Sequence, residues 1–161
     1  MVGTAIGFAD SRRLVRRTGI RPGMKIVVTC ARGRRWGQRW ALSVARSLGI
    51  SLAFSLRKRL ERADMVLRLP VEETKALIAT GGVRGGMDLS DGVGGALEIL
   101  GRENRIGFIL NEYALASLIH SDAIEVGRSL GIDPAAFALS PGYNWENLFG
   151  IDSESWAECE S

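Results

Sequence analysis

The sequence predicts one α+β domain, in three layers of helix, sheet and helix around a mixed sheet. Three observations carry that prediction. Strand-forming runs alternate with runs of helical period, no linker interrupts them, and the composition is ordinary for a globular chain: 161 residues, 46% hydrophobic and 24% charged. The domain is placed at residues 1–151, with residues 152–161 as an acidic tail.

The elements follow in order. Val2 to Ala9 reads as a short strand, followed by a basic connector and the turn Arg21-Pro22-Gly23. Lys25 to Cys30, rich in Ile and Val, reads as a buried strand. From about Trp36 the apolar residues Trp36, Trp40, Leu42, Val44, Ala45 and Leu48 recur at helical spacing, and Gly49 stops them. Leu52 to Ala63 reads as a second amphipathic helix with its charges in Arg57-Lys58-Arg59. After Pro70, Val71 to Ala79 is a helix with Glu72 and Glu73 in the first turn, where the macrodipole favours negative charge. Gly81-Gly82 ends it, a short strand and turn follow, and Val93 to Arg102 is a helix. Arg105 to Tyr113 reads as a strand, and Ser121 to Leu130 as a helix capped by Ser121 or Asp122 and closed by Gly131. Leu148 to Ile151 is the last strand.

Several function classes drop out. No apolar run approaches the roughly 20 residues needed to span a bilayer, and the N-terminus has no signal-peptide core, so a cytoplasmic location without membrane contact is expected. Cys30 and Cys159 have no paired spacing, and His120 is the one histidine, so neither a cysteine framework nor a histidine metal cluster is expected. His120 reads as a surface or helix-cap residue. The net charge of +3 hides a segregation. Residues 1–70 carry 16 Lys and Arg against 3 Asp and Glu, residues 71–161 carry 5 against 15, and the two parts are therefore +13 and −10. Such a pattern can hold the two parts together, face an anion, or face another chain.

The stretch with chemistry in it is Met87-Asp88-Leu89-Ser90-Asp91-Gly92. It sets two carboxylates three residues apart around a serine, just before a helix and between glycine-rich flanks. Aspartates supply the hard oxygens Mg²⁺ prefers, and glycines let backbone approach a phosphate closely. The same residues also read as a plain turn in which Ser90 or Asp91 caps the helix.

Four landmarks in order resemble thiamine-monophosphate kinase and, more broadly, the aminoimidazole ribonucleotide synthetase superfamily with its selenophosphate synthetase and hydrogenase-maturation branches. They are Thr4-Ala5-Ile6-Gly7, Arg21-Pro22-Gly23 with the strand to Thr29, the hexapeptide, and Ala138-Leu139-Ser140 through Leu148-Phe149. The resemblance runs over about residues 3–151 and is to the second, C-terminal domain of that superfamily. It implies ATP- and Mg²⁺-dependent phosphorylation of thiamine phosphate to thiamine diphosphate. It assigns Asp88 and Asp91 to metal, Ser90 to ATP phosphate, and Gly92 to the phosphate-binding turn. It also implies a small-molecule phosphate substrate and a half-site, completed by a separately encoded N-terminal half or within a homodimer.

Two segments depart from the family pattern. Where the kinases read Ser-Gly-Gly-Glu-Asp-Tyr-Glu-Leu-Leu-Phe, this chain reads Ser140-Pro141-Gly142-Tyr143-Asn144-Trp145-Glu146-Asn147-Leu148-Phe149. Tyr143 and Asn144 replace two acids; Tyr143 and Trp145 offer stacking or cation–π contact to the substrate, and Glu146 keeps its place. Glu146 reads equally as a surface acid at a strand edge. In the turn after the first buried strand, Arg32, Arg34 and Arg35 can grip phosphate or form a solvated basic loop, and Arg17 and Arg21 carry the same two readings. Two alternatives stand beside the kinase: a superfamily relative with another phosphate acceptor, and a non-catalytic module whose basic part binds anions or nucleic acid. Trp36 and Trp40 among arginines support the latter, but their i, i+4 spacing favours core packing, and nucleic acid is not the expected partner.

Overall fold

The strand Asn147–Ile151 (β3) is the axis of the sheet. A computed structural model of the chain describes residues 7–8, 10–11, 14–29, 36–65, 69–140 and 145–156. In it β3 pairs antiparallel with Lys25–Val28 (β1) on one side and with Val83–Asp88 (β2) on the other. Ile151 thus faces both Lys25 and Val83, and Leu148 faces both Val28 and Met87. From Leu148 to Ile151 β3 is buried, as its apolar run requires, whereas β1, which among the described residues pairs with β3 alone, is half-exposed. That corrects the expectation of a fully buried strand there. The α+β class holds, but both ladders are antiparallel, so the sheet of the described strands is not mixed.

Glycine shapes the β2 side. A Cβ on Gly86 would sit 2.5 Å from the Leu148 carbonyl and from the Phe149 ring, and one on Gly85 would meet Ile20 at 2.9 Å. Ile20 covers Gly85 and Gly150 and is itself pinned through Asn104, whose Oδ1 accepts from the amides of Gly19 (2.8 Å) and Ile20 (3.0 Å). The Gly86 amide donates to the Arg16 carbonyl at 2.9 Å, so residues 16–20 run beside β2.

The helices are Gln38–Ser47 (α1), Phe54–Met65 (α2), Val71–Ala79 (α3), Gly92–Asn104 (α4), Glu112–Leu118 (α5), Ser121–Leu130 (α6) and Pro134–Leu139 (α7). Val93, Ala96, Leu97 and Leu100 turn one face of α4 into the core with Leu148 and with Leu89 from the turn before it. Burying each leucine or valine among them contributes about 1.5–3 kcal/mol. Trp36, Ile119, Ala123, Val126 and Phe137 fill the other end, and Trp40 meets the Phe137 ring edge-on at 4.6 Å. Trp36 is 2% exposed, so the two tryptophans are core residues. Among the described residues no helix is long and apolar enough to cross a membrane.

Two readings are corrected and one element is added. Arg105 to Tyr113 contains no strand: Arg105 ends α4 at φ 56, Ile106 and Phe108 pack on the core, and Asn111 starts α5 by accepting from the Ala114 amide at 3.0 Å. The cap of α6 is His120, whose Nδ1 accepts from the Asp122 amide at 3.1 Å. α7 was not expected, although Pro134 stands at its first position, where proline favours a helix start. The strand expected at residues 2–9, Cys30, Cys159, Arg32, Arg34, Arg35, Tyr143 and Asn144 all fall wholly or mainly outside the described residues.

The charge segregation closes on Asp122, a buried carboxylate. It accepts from Gln38 Nε2 on α1 (3.0 Å) and from Arg59 Nε on α2 (2.8 Å), and so ties α6 to both. Arg59 also reaches Glu125 at 3.4 Å, pairing the basic part with the acidic one. Arg59 is half-exposed and can be solvated, so the main cost of losing Asp122 is the buried Gln38 amide left without its acceptor. Asp122→Ala should therefore lower unfolding stability in urea by about 2 kcal/mol, with Asp122→Asn recovering part of it.

Candidate active site

The hexapeptide is delivered by the sheet. Asp88 ends β2 opposite Asn147, and Leu89 turns inward, fully buried, its amide donating to the Glu146 carbonyl at 2.8 Å. The chain then reverses: the Gly92 amide returns to the Leu89 carbonyl at 3.0 Å, with Gly92 at φ 79, a conformation other residues rarely adopt. Leu89 anchors the turn, and Asp88, Ser90 and Asp91 are left at the surface.

Within it, Ser90 Oγ donates to Asp88 Oδ2, and the Ser90 amide donates to the same oxygen at 3.3 Å. The Ser90 hydroxyl, opposed by partial desolvation and helped by backbone amides and the charge of Arg17, holds the Asp88 carboxyl below the usual aspartate range. Arg17 therefore stands in the electrostatic neighbourhood of the motif. Asp91 occupies the N-cap position of α4, yet its side chain makes no cap hydrogen bond, so it is not the plain capping residue the turn reading required.

A cavity of about 410 Å³ opens beside the motif. Asp88 and Ser90 line it, together with Thr74 and Lys75 from α3, Asn147 from β3, and Trp145. Asn147 Nδ2 donates to Thr74 Oγ1 at 2.9 Å, fixing α3 against the sheet, and Lys75 Nζ lies 3.0 Å from Glu72. Trp145 is 46% exposed and holds φ 52, an outlying conformation for a bulky residue.

Of the residues singled out in the sequence, Asp88, Ser90 and Trp145 meet in this cavity. Asp91 and Gly92 adjoin it in sequence but do not line it. Glu146 is not a surface acid: it is 5% exposed beneath the site, its Oε2 accepting from Thr29 Oγ1 at 2.7 Å. Arg21 lines a different, largely apolar cavity, while Arg34 and Tyr143 lie outside the described residues. Thr74, Lys75 and Asn147 were missed. They come from α3 and β3, and the sequence signal for them was at most that they are polar positions within a helix and at the start of a strand.

The donor set suits a hard divalent cation. Asp88 is anionic at neutral pH, and Asp91 is three residues away with its carboxylate unengaged by the helix end. No group of three or more His, Cys, Asp and Glu able to hold a metal exists among the described residues. Mg²⁺ fits such a sparse site, because it keeps several waters and completes its shell with substrate phosphates.

No family model matches the chain, and no curated protein does. Solved structures do. It is similar to AaThiL complexed with AMPPCP and TMP, with TM-score 0.63 and 16% identity over 88% of this chain and 43% of that one. It is also similar to thiamine-monophosphate kinase from Stenotrophomonas maltophilia K279a, with TM-score 0.60 and 16% identity over 91% and 45%. A third similarity is to the hydrogenase maturation protein HypE, with TM-score 0.56 and 12% identity over 90% and 40%. The chain shares their fold and spans less than half the length of each.

Replacing Ser90 by alanine removes the main group holding the Asp88 carboxyl down. Its pKa should rise toward the ordinary value, read from the pH titration of the Asp88 carboxyl carbon by NMR. The sign follows from linkage: a depressed carboxylate stabilises the fold above the unfolded-state pKa, and that contribution is lost as pH falls through the folded-state value. The stability gap between wild type and Ser90→Ala attributable to this pair should therefore be present at pH 7 and close under acid.

Proposed function

We propose that this chain supplies part of an ATP- and Mg²⁺-dependent phosphotransferase site of the thiamine-monophosphate kinase type. One observation carries the reading. Asp88 and Ser90 stand together on a cavity that also presents a cation, Lys75, and an exposed aromatic, Trp145, in a fold shared with a kinase captured with AMPPCP and TMP.

In this reading Asp88 and Asp91 hold Mg²⁺, which neutralises the charge developing on the transferred phosphoryl group. Ser90, whose hydroxyl donates to Asp88, would turn that hydroxyl to a phosphate oxygen. Gly92 serves through its backbone, letting the turn reverse tightly enough for α4 to begin at the site. Lys75 adds a positive charge at the cavity wall, and Arg34 belongs to the same phosphate-binding set. Trp145 packs against the acceptor, with Tyr143 as a second aromatic. Glu146 acts from below, through the Thr29 hydroxyl and the Leu89 amide, as a positioning residue. The remaining nucleotide contacts come from a first-half partner or a second copy of the chain, in the cytoplasm.

A nucleic-acid-binding module is less well supported. The stacking residues it needed, Trp36 and Trp40, are occupied in the core.

Calorimetry tests the reading. The chain should bind an ATP analogue weakly and only with Mg²⁺, and Asp88→Asn and Asp91→Asn should each weaken binding about tenfold, a loss of roughly 1.4 kcal/mol. Lys75→Gln should weaken it less and leave the Mg²⁺ dependence intact. Absence of Mg²⁺-dependent binding, both alone and with a first-half partner, would remove the metal assignment.

A further inference from the structure

Trp145 lines two cavities. One is the Asp88–Ser90 cavity; the other, also of about 410 Å³, is lined by Arg39, Leu42, Ser43, Arg46, Ser47, Asp64 and Trp145. Trp145 is thus a wall common to both, with Asp88 and Ser90 lining one cavity and a face of α1 lining the other.

That face is built from one helical stripe. Residues 39, 43, 46 and 47 recur at i, i+4, i+7 and i+8, which places them in line along α1. The stripe presents donors: two guanidinium groups and two hydroxyls. Neither Ser43 nor Ser47 has a side-chain hydrogen bond within the described structure. Arg39 is held in place by Asp64, with Nη2 donating to its carbonyl at 3.0 Å and Nε 3.5 Å from its carboxylate. Arg46 is looser, 57% exposed and 3.5 Å from Glu61, a carboxylate that Arg57 holds much closer at 2.8 Å. The Glu61 pKa is lowered chiefly by its hydrogen bond from Arg57, with Arg46 a lesser cause, so Arg46 can turn to another anion without stranding its partner. Asp64, at the rim, is the one acid among the lining residues.

The Trp145 backbone is an independent pointer. A tryptophan at φ 52 with nearly half its surface exposed gains little from burial, and unfavourable backbone of this kind collects at ligand sites. An indole beside hydroxyl and guanidinium donors suits an aromatic anion. A cationic ring at the same place would face two arginines.

We propose that the phosphate acceptor of this chain is a planar ring bearing a second anionic group, seated against Trp145 with that anion held by Arg39, Ser43, Arg46 and Ser47. This rests on the phosphotransferase reading and narrows its acceptor away from a cationic ring.

The test uses the whole chain and a probe that cannot accept or donate phosphoryl groups. Binding of 2-naphthalenesulfonate is measured by calorimetry, with 2-naphthalenemethanol as the uncharged control. The sulfonate should bind at least tenfold more tightly than the alcohol. Arg46→Gln and the double change Ser43→Ala, Ser47→Ala should each weaken it three- to tenfold. Trp145→Ala should weaken both probes, and Trp145→Phe should restore most of the loss. Lys75→Gln and Asp88→Asn should leave sulfonate binding unchanged, which separates this anion site from the motif's own cavity. Arg46, Ser43 and Ser47 are exposed, and unchanged melting temperatures would show that these variants fold. Equal binding of sulfonate and alcohol, or sulfonate binding sensitive to Lys75→Gln but not to Arg46→Gln, would overturn the proposal. If the sulfonate fails to bind while Mg²⁺-dependent nucleotide binding persists, the acceptor inference falls and the phosphotransferase reading stands. If nucleotide binding alone is absent, the phosphotransferase reading falls and takes the acceptor assignment with it.

Discussion

The Thr29–Glu146–Asn147 junction is the constraint on which the site depends. Thr29 leaves β1 and Asn147 enters β3, and the two exchange hydrogen bonds: the Thr29 amide to the Asn147 carbonyl at 2.9 Å, and the Asn147 amide to Thr29 Oγ1 at 2.8 Å. The same hydroxyl donates to the buried Glu146 carboxylate, and the Glu146 carbonyl accepts from Leu89. Asn147 then reaches α3 through Thr74. One polar cluster thus fixes the end of β1, the start of β3, the turn after β2 and the helix that carries Lys75. A buried carboxylate is costly unless its partners stay in place, so the cluster favours a single arrangement of the cavity wall. Trp145 is the residue immediately before it, which explains how an outlying backbone conformation is sustained: the neighbouring residue is tied down on both its side-chain and its main-chain atoms.

How much of this was legible in the sequence depends on the range of the forces involved. The helices at Val71–Ala79 and Ser121–Leu130 are set by local signals, a proline before one with paired acids in its first turn and a glycine after the other, and both were read with the right limits. The segment from Arg105 to Tyr113 was not, because a short apolar run is equally consistent with a strand and with side chains reaching down onto a core. Asn111 decides it by starting a helix where the strand reading continued. His120 was rightly read as a cap residue in general, yet the cap of α6 was assigned to Ser121 or Asp122. Asp122 is drawn inward by Arg59 and Gln38, more than sixty residues away in the chain, and no local rule contains that.

The site divides in the same way. The motif is contiguous, so its two carboxylates and its serine announce themselves, and the glycine at φ 79 is the residue type the reversal requires. The rest of the cavity is tertiary. Lys75 reads from the sequence as an ordinary surface lysine on α3, and it lines the cavity because Thr74, its neighbour, is bonded to Asn147 on β3. Glu146 was misplaced for the complementary reason. An acid at the edge of a strand is normally solvated, and the Thr29 hydroxyl, 117 positions away, helps to make its burial tolerable.

The proposed chemistry also accounts for how such a site can be shared between separate pieces of protein. Phosphoryl transfer asks for little covalent work: the metal and the surrounding donors position the reactants and neutralise charge. Each donor needs only to reach a phosphate oxygen, so contributions from separate pieces of protein need not touch one another. A sparse set of carboxylates is therefore not a defect, provided the wall that carries it is rigid. Here rigidity comes from the strand junction and from Leu89 buried beneath the turn, while the groups that would meet phosphate, Asp88, Ser90 and Asp91, remain at the surface. The sequence separates these tasks residue by residue, alternating the anchoring leucine with the polar groups it holds out to solvent.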